Sequence, residues 1–207
     1  MKVLVFANGT PPSRARVQPF LHDSSLIVAA DGGANALGQL GLSPDFVVGD
    51  LDSLSPDARG KFPRAQFVER ADQNKTDLEK TLTFCLEKGA TEIVVFGATG
   101  RRLDHELANL GILQHVSRQA QVTLVDNHFW VRVVRGSFSF PCKPGRLISL
   151  IALQLAEGVS VQGVQFPLQN ARLDFGGRGV SNVATAEQVS IQIKKGELFL
   201  FVAHDVA

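Results

Sequence analysis

The chain has 207 residues, a formal net charge of +1 from 21 Lys and Arg against 20 Asp and Glu, and 44 % apolar residues. That length and apolar content bury a sizeable core in one or two domains, and the balanced charge sets up no global field to recruit nucleic acid or an anionic membrane. The expected partner is therefore a small molecule, and two isolated cysteines, Cys85 and Cys142, suit a reducing compartment rather than a disulfide framework.

The run Met1 to Ala7 is too short for the apolar core of a signal peptide, and no stretch approaches the roughly twenty apolar residues of a membrane span. A cytoplasmic protein is the expectation. Val3 to Ala7 is continuously apolar without alternation, which predicts a strand covered on both faces, as in a parallel sheet. Asn8 to Ser13 then reads as a turn-rich loop at its carboxyl end. Leu26 to Ala30 is a second such strand, followed by Asp31-Gly32-Gly33 and a short helix from Ala34 to Leu40 that Gly41 closes. Asp31 suits the N-cap of that helix, and capping alone would account for it.

Pro44 and Asp45 introduce a third strand that ends in Gly49-Asp50-Leu51-Asp52. Ser55-Pro56 predicts another short helix, with Ser as cap and Pro at its first position. Gln66 to Glu69 is a fourth strand. Thr76 and Glu79 form a capping box that opens a helix to about Lys88, with Asp77 at its mouth. The helix dipole alone would favour a carboxylate there by a few tenths to about 1 kcal/mol. Thr91 to Phe96 is a fifth strand, and Gly97-Ala98-Thr99-Gly100 turns into a helix on which Leu103, Leu107, Leu110 and Leu113 are expected to face inward. Arg101, Arg102 and Asp104 stay at its N-terminal end, where arginines can hold phosphate oxygens and Asp104 can be metal ligand, base or cap. His105 reads as a helix-surface residue.

Val122 to Val125 completes an alternation of strand and helix, the pattern of an open, mostly parallel α/β sheet with helices on both faces. Beyond Asp126 the character changes. Short runs at Trp130 to Val134, Leu147 to Leu150, Val159 to Val161, Ala184 to Ile193 and Leu198 to Val202 are separated by glycine turns, which predicts an all-β sandwich. The expected division is an α/β domain over 1–129 and a β-sandwich domain over 130–207.

Asp31, Asp50, Asp52, Asp77 and Asp104 all follow strand ends or open helices, hence lie on the carboxyl edge where open α/β folds bind ligands. Asp50 and Asp52 lie two apart, so an extended backbone would point both to one side with no cation nearby in sequence before Arg59. Mg²⁺ resolves such repulsion, because it takes oxygen from one or two carboxylates and completes its shell with water and phosphates. The chain carries no Walker phosphate loop, dinucleotide fingerprint or EF-hand, and its His and Cys are too scattered for zinc. A Mg²⁺-polyphosphate site is what remains, with Lys75 and the arginines available to the phosphates.

The segments GDLDSL (49–54), DQNKTDLEK (72–80), GATGRRLDHELAN (97–109) and GRGVSN (177–182) together resemble the thiamine pyrophosphokinase family, in order and spacing over most of the chain. The resemblance implies transfer of the pyrophosphoryl group of ATP to the hydroxyl of thiamine, leaving AMP. It also implies a homodimer whose active sites lie where an α/β domain meets the partner's β-sandwich. On this sequence it assigns Asp50, Asp52 and Asp77 to the Mg²⁺-ATP site, with Asp31 and Asp104 lining it and Arg102 near phosphate. Gln73, Ser181 and Asn182 fall to thiamine, with Phe166 and Phe175 as candidates to stack on the thiazolium. The general base is open between Asp77, Asp104 and direct metal activation. A pyrophosphokinase for a reduced pterin and a non-catalytic nucleotide or thiamine sensor are the competing readings.

Overall fold

The computed structural model describes residues 1–54 and 57–205, and these divide into two compact units, Met1–Asn127 and His128–Ala207. The helix start read over Ser55 and Pro56 lies outside the described residues.

The first unit carries six strands, β1 (Lys2–Phe6), β2 (Leu26–Ala30), β3 (Phe46–Gly49), β4 (Gln66–Glu69), β5 (Glu92–Phe96) and β6 (Gln121–Val125). Between them run helices α1 (Arg14–Leu21), α2 (Gly33–Gln39), α3 (Ala58–Lys61), α4 (Asp77–Glu87) and α5 (Leu103–Val116). The strands lie in the order β6-β5-β1-β2-β3-β4, all parallel. Chain order therefore reverses between β1 and β5, and the loops leaving these two strands diverge around the crevice that such a switch point creates. Continuous apolar runs make the central strands: Val3, Leu4 and Val5 of β1 and Ile93 and Val95 of β5 have no exposed surface. The rings of Phe6 and Phe96 stack across the pair at 4.9 Å between centroids.

Helix α4 begins where the capping box predicts, since the Thr76 side chain accepts from the Glu79 N–H at 3.3 Å. Its buried face, with Leu78, Leu82 and Cys85, packs on the sheet, and Thr81 donates to the Val48 carbonyl at 3.3 Å. Helix α1 has no counterpart in the sequence reading, because it holds Pro19 and buries only Val17, so it carries almost no apolar period. Helix α5 corrects an expectation. Leu113 is buried, but Leu103 and Leu107 are 70 % and 48 % exposed, since the first turns of the helix extend beyond the core and only its second half packs. Among the described residues no helix is long and apolar enough to cross a membrane.

The second unit holds β7 (Phe129–Val134), β8 (Ser137–Pro141), β9 (Leu147–Ile151), β10 (Ala156–Gln162), β11 (Leu168–Leu173), β12 (Asn182–Val183), β13 (Gln188–Gln192) and β14 (Leu198–Ala203). They form two antiparallel layers, β12-β9-β14-β7 and β11-β10-β13-β8. Val159, Val189, Leu198 and Leu200 are fully buried in its core, and Trp130 packs against it, edge-on to Phe140. Strands β8, β11 and β12 lie outside the runs read from sequence: polar residues dilute the first two and β12 has two residues. The run read as one strand from Ala184 to Ile193 is β13 alone, and Asn182–Val183 pairs instead with β9.

Candidate active site

Three aspartates from three elements meet at the carboxyl edge of the parallel sheet. Asp31 follows β2, Asp50 follows β3 and Asp77 opens α4, and one carboxylate oxygen of each lies within 4.8 Å of the other two. Gly49 makes the approach possible: a Cβ there would stand 2.8 Å from Asp31 Cβ and 3.1 Å from Asp77 Oδ1. Two residues at the site take the left-handed backbone that side chains avoid, Asp31 (φ 41°) and Leu51 (φ 68°). Such a conformation costs on the order of 1–3 kcal/mol, and it persists where the surroundings or the function demand it.

The strain at Leu51 has a direct consequence for the reading of Asp50 and Asp52. The backbone between them is not extended, yet Asp52 stays beside Asp50 and helps hold its carboxyl down. Asp31 joins Asp50 and Asp77 in the cluster, whereas Asp52 is exposed and accepts from the Ser53 hydroxyl at 3.0 Å. Nor does Asp31 cap α2. Gly32 holds that position without a side-chain bond, and Asp31 Oδ2 instead accepts from the Ser53 N–H at 3.1 Å.

A cation that the sequence reading overlooked sits inside the cluster. Lys80, with a side chain 3 % exposed, donates to Asp50 Oδ2 at 3.1 Å and to Asp77 Oδ1 at 3.0 Å. Its one-turn offset from Asp77 on α4 was the available signal. Burial pulls the Lys80 ammonium down, but its bonds to Asp77 and Asp50 outweigh this and hold it above the usual lysine value. The same ammonium holds Asp50 below the carboxylate range, while burial pushes Asp31 up. Among the described residues, Asp31 Oδ1 and Asp50 Oδ1 are buried without a hydrogen-bond partner. Buried carboxylate oxygens are costly unless something pairs them, and an all-oxygen donor set with two orphaned atoms fits a hard cation.

Beside the cluster, a cavity of about 320 Å³ runs along the switch point, lined by Asn8, Asp31, Ser53, Asp77, Arg101 and Arg102 among others. Its walls are backbone loops held at close quarters. Gly9 N–H donates to the Gly97 carbonyl at 2.6 Å, and a Cβ on Gly9 would meet that oxygen at 2.3 Å. Glu106, not singled out in the sequence, accepts from the N–H groups of Gly100 and Arg101 at 2.7 and 3.1 Å and so ties the loop to α5. Arg101 reaches Asn8 Oδ1 at 3.3 Å.

Asp104 stands apart from the cluster. It is exposed and gripped by Arg102 through two hydrogen bonds of 3.1 and 2.6 Å, which hold its carboxyl down at about 2. Gln73 and Lys75 lie exposed on the turn before α4, where Asp72 accepts from Asn74 N–H at 3.0 Å. Lys75 lines a groove between α4 and α5 with Glu79, Thr83 and Ala108 rather than the acidic cavity.

In the second unit, Ser181 is again a left-handed non-glycine residue (φ 61°), and its N–H donates to the Ser149 hydroxyl at 3.0 Å. The Asn182 side chain is spent on the fold. It accepts from Phe166 N–H at 3.0 Å and Val183 N–H at 2.9 Å, and donates to the Phe166 carbonyl at 2.8 Å. Phe166 is thereby fixed at the mouth of a cavity of about 230 Å³ lined mostly by apolar side chains, including Ile148, Leu150 and Val161. Phe175 is 67 % exposed.

A parallel α/β sheet with a carboxylate cluster and arginines at its carboxyl edge, in one chain with an antiparallel sandwich, defines a phosphate-transferring enzyme of the kinase class. Residues 17–125 match the family model for the thiamin pyrophosphokinase catalytic domain, and residues 138–198 match the thiamin pyrophosphokinase vitamin B1 binding domain. The chain belongs to the thiamin pyrophosphokinase family. It is similar to the thiamine pyrophosphokinase of Bacillus subtilis, 26 % identical over 194 residues that cover 90 % of this chain and 91 % of that one. It is also similar to thiamin pyrophosphokinase 1 of Caenorhabditis elegans, 26 % identical over 95 % of this chain and 87 % of the other. In fold it superposes on the Bacillus subtilis crystal structure with a TM-score of 0.88 over the whole of both chains, at 24 % identity. The Candida albicans enzyme gives 0.87 over 99 % of this chain and 89 % of that one, at 16 % identity.

Proposed function

We propose that the protein transfers the pyrophosphoryl group of ATP to the hydroxyl of thiamine, giving thiamine diphosphate and AMP. The observation that carries the reading is the Asp31, Asp50 and Asp77 cluster with two orphaned carboxylate oxygens, in a chain of this family. We assign the cluster to Mg²⁺, with Asp52 on the adjoining loop at its rim. When bound, the ion offsets the charge of the triphosphate and of the oxygens that become more negative during transfer. Arg101 and Arg102 border the same cavity, and their planar donors suit phosphate oxygens. Lys75, on the turn before α4, is assigned to the outer part of the triphosphate.

In the reaction the thiamine hydroxyl oxygen forms a bond to the β-phosphorus of ATP, and the hydroxyl proton is released to water. The bond from that phosphorus to the α–β bridging oxygen breaks, and AMP leaves with the electron pair. The protein's contribution is positioning and electrostatic stabilisation. Arg102 exchanges Asp104 for phosphate as the nucleotide enters. With its carboxyl held down at about 2, Asp104 is a weak proton acceptor while that pair lasts, and its role is to hold the arginine in readiness.

The unit His128–Ala207 takes the thiamine. Supporting this are its match to a vitamin B1 binding domain and the cavity at whose mouth Asn182 fixes Phe166, a ring able to stack on the thiazolium. By the resemblance, Gln73 is assigned to the pyrimidine, and Ser181 and Asn182 to thiamine binding. The resemblance further supports a homodimer, and the two isolated cysteines support a cytoplasmic setting.

Incubation with Mg-ATP and thiamine, followed by separation of the nucleotides, tests the reading. AMP and thiamine diphosphate in equal amounts are expected. AMP formed only with a reduced pterin alcohol selects the pterin enzyme, and binding of nucleotide or thiamine without AMP selects a sensor.

A further inference from the structure

Lys80 is a buried charge at a place that disfavours it twice. Its side chain is 3 % exposed, and it sits in the first turn of α4, where the helix dipole opposes a cation. It tolerates both penalties because it bonds Asp50 Oδ2 and Asp77 Oδ1 at 3.1 and 3.0 Å. One oxygen of each acid is thus committed to the ammonium. Asp50 Oδ1 and Asp31 Oδ1 stay buried and unpartnered, and Gly49 leaves the space in which the acids converge. Within the cluster itself, three carboxylates against one ammonium leave a residual charge of two, with the exposed Asp52 carboxylate beside Asp50 at its edge.

We propose that Lys80 is a positioning residue of the site: a permanent internal counter-cation that fixes the orientation of Asp50 and Asp77 and, by its charge, sets the preference of the cluster for a divalent over a trivalent cation. This rests on the reading that the cluster holds a metal ion. Removing the lysine strands two carboxylates that share no other cation among the described residues and raises the residual charge of the cluster from two to three. A trivalent ion gains more from that change than a divalent one, in proportion to its charge. An arginine keeps the charge and can keep both bonds.

The test is calorimetric titration of the metal-free full chain with Mg²⁺ and with La³⁺, comparing wild type with Lys80→Met, Lys80→Gln and Lys80→Arg. Far-UV circular dichroism and a cooperative thermal transition confirm folding, and Lys80→Gln substitutes where Lys80→Met fails to fold. In the neutral variants the ratio of La³⁺ to Mg²⁺ affinity is expected to rise by about tenfold or more over wild type. In Lys80→Arg the wild-type ratio is expected to return. A folded neutral variant with an unchanged ratio overturns the proposal, as does an arginine variant shifted as far as the neutral ones. Wild-type protein that binds neither ion overturns the metal reading as well, which separates the two failures.

Discussion

Each carboxylate at the sheet edge is defined by its neighbour, and the neighbours differ. Asp50 has one oxygen on Lys80 and one oxygen buried and orphaned. Replacing it by Asn keeps the shape and removes the charge that an ion needs. Asp50→Asn is expected to lower turnover by about 100- to 1000-fold, the scale of losing one preorganised electrostatic contact to the transition state. The thermal midpoint should stay within a few degrees of wild type, because Asn keeps an oxygen for Lys80 and the lost charge relieves repulsion from Asp31 and Asp77, which offsets the weaker pair. An assay of AMP release beside a melting curve checks both, and near-normal turnover would remove Asp50 from the site. Asp104 is the opposite case. Its pair with Arg102 is exposed, and that contact lowers its carboxyl to about 2. In Arg102→Gln the midpoint of Asp104 is expected to rise toward the ordinary value of about 3.9, read as the pH dependence of its carboxyl carbon NMR shift. A midpoint that stays near 2 would mean that another group sets its charge.

At the level of the element, α4 decides whether the cluster exists. Thr76 stops the preceding turn and satisfies the Glu79 N–H, and the helix then presents Asp77 and Lys80 on one face, one turn apart. Thr76→Ala is expected to cost about 1 kcal/mol in urea-induced unfolding. It should also lower activity by more than the unfolded fraction accounts for, because the frayed turn carries Asp77. Thr76→Ser, which keeps the capping oxygen, should restore both. This element was legible in the sequence because its signals are local: a cap, a glutamate three residues later, and an apolar stripe through Leu78, Leu82 and Cys85. Helix α5 was legible as a helix but not in its burial. Its leucines recur at helical spacing throughout, yet Leu103 and Leu107 are exposed, since a period in sequence fixes a face and not what lies opposite it.

For the whole molecule, the two units have separate cores, one around β1 and β5 and one between the layers of the sandwich. The homodimer that the family resemblance implies predicts a sedimentation-equilibrium mass of twice 22.3 kDa at micromolar concentration. A mass of 22.3 kDa under those conditions would count against shared active sites.

What the sequence determined by itself was local and periodic. Continuous apolar runs declared the parallel strands, glycine-punctuated short runs declared the sandwich, and acidic residues after strand ends declared the reactive edge. Only the tertiary structure decided which acids meet. A left-handed Leu51 left Asp52 beside Asp50 but outside the group that Asp31, Asp50 and Asp77 form, a glycine at position 49 let Asp31 and Asp77 close in, and Lys80 entered between acids that are 27 residues apart in the chain, from position 50 to 77. Distances across a sheet edge depend on strand order and on single backbone torsions, and neither leaves a periodic trace along the chain.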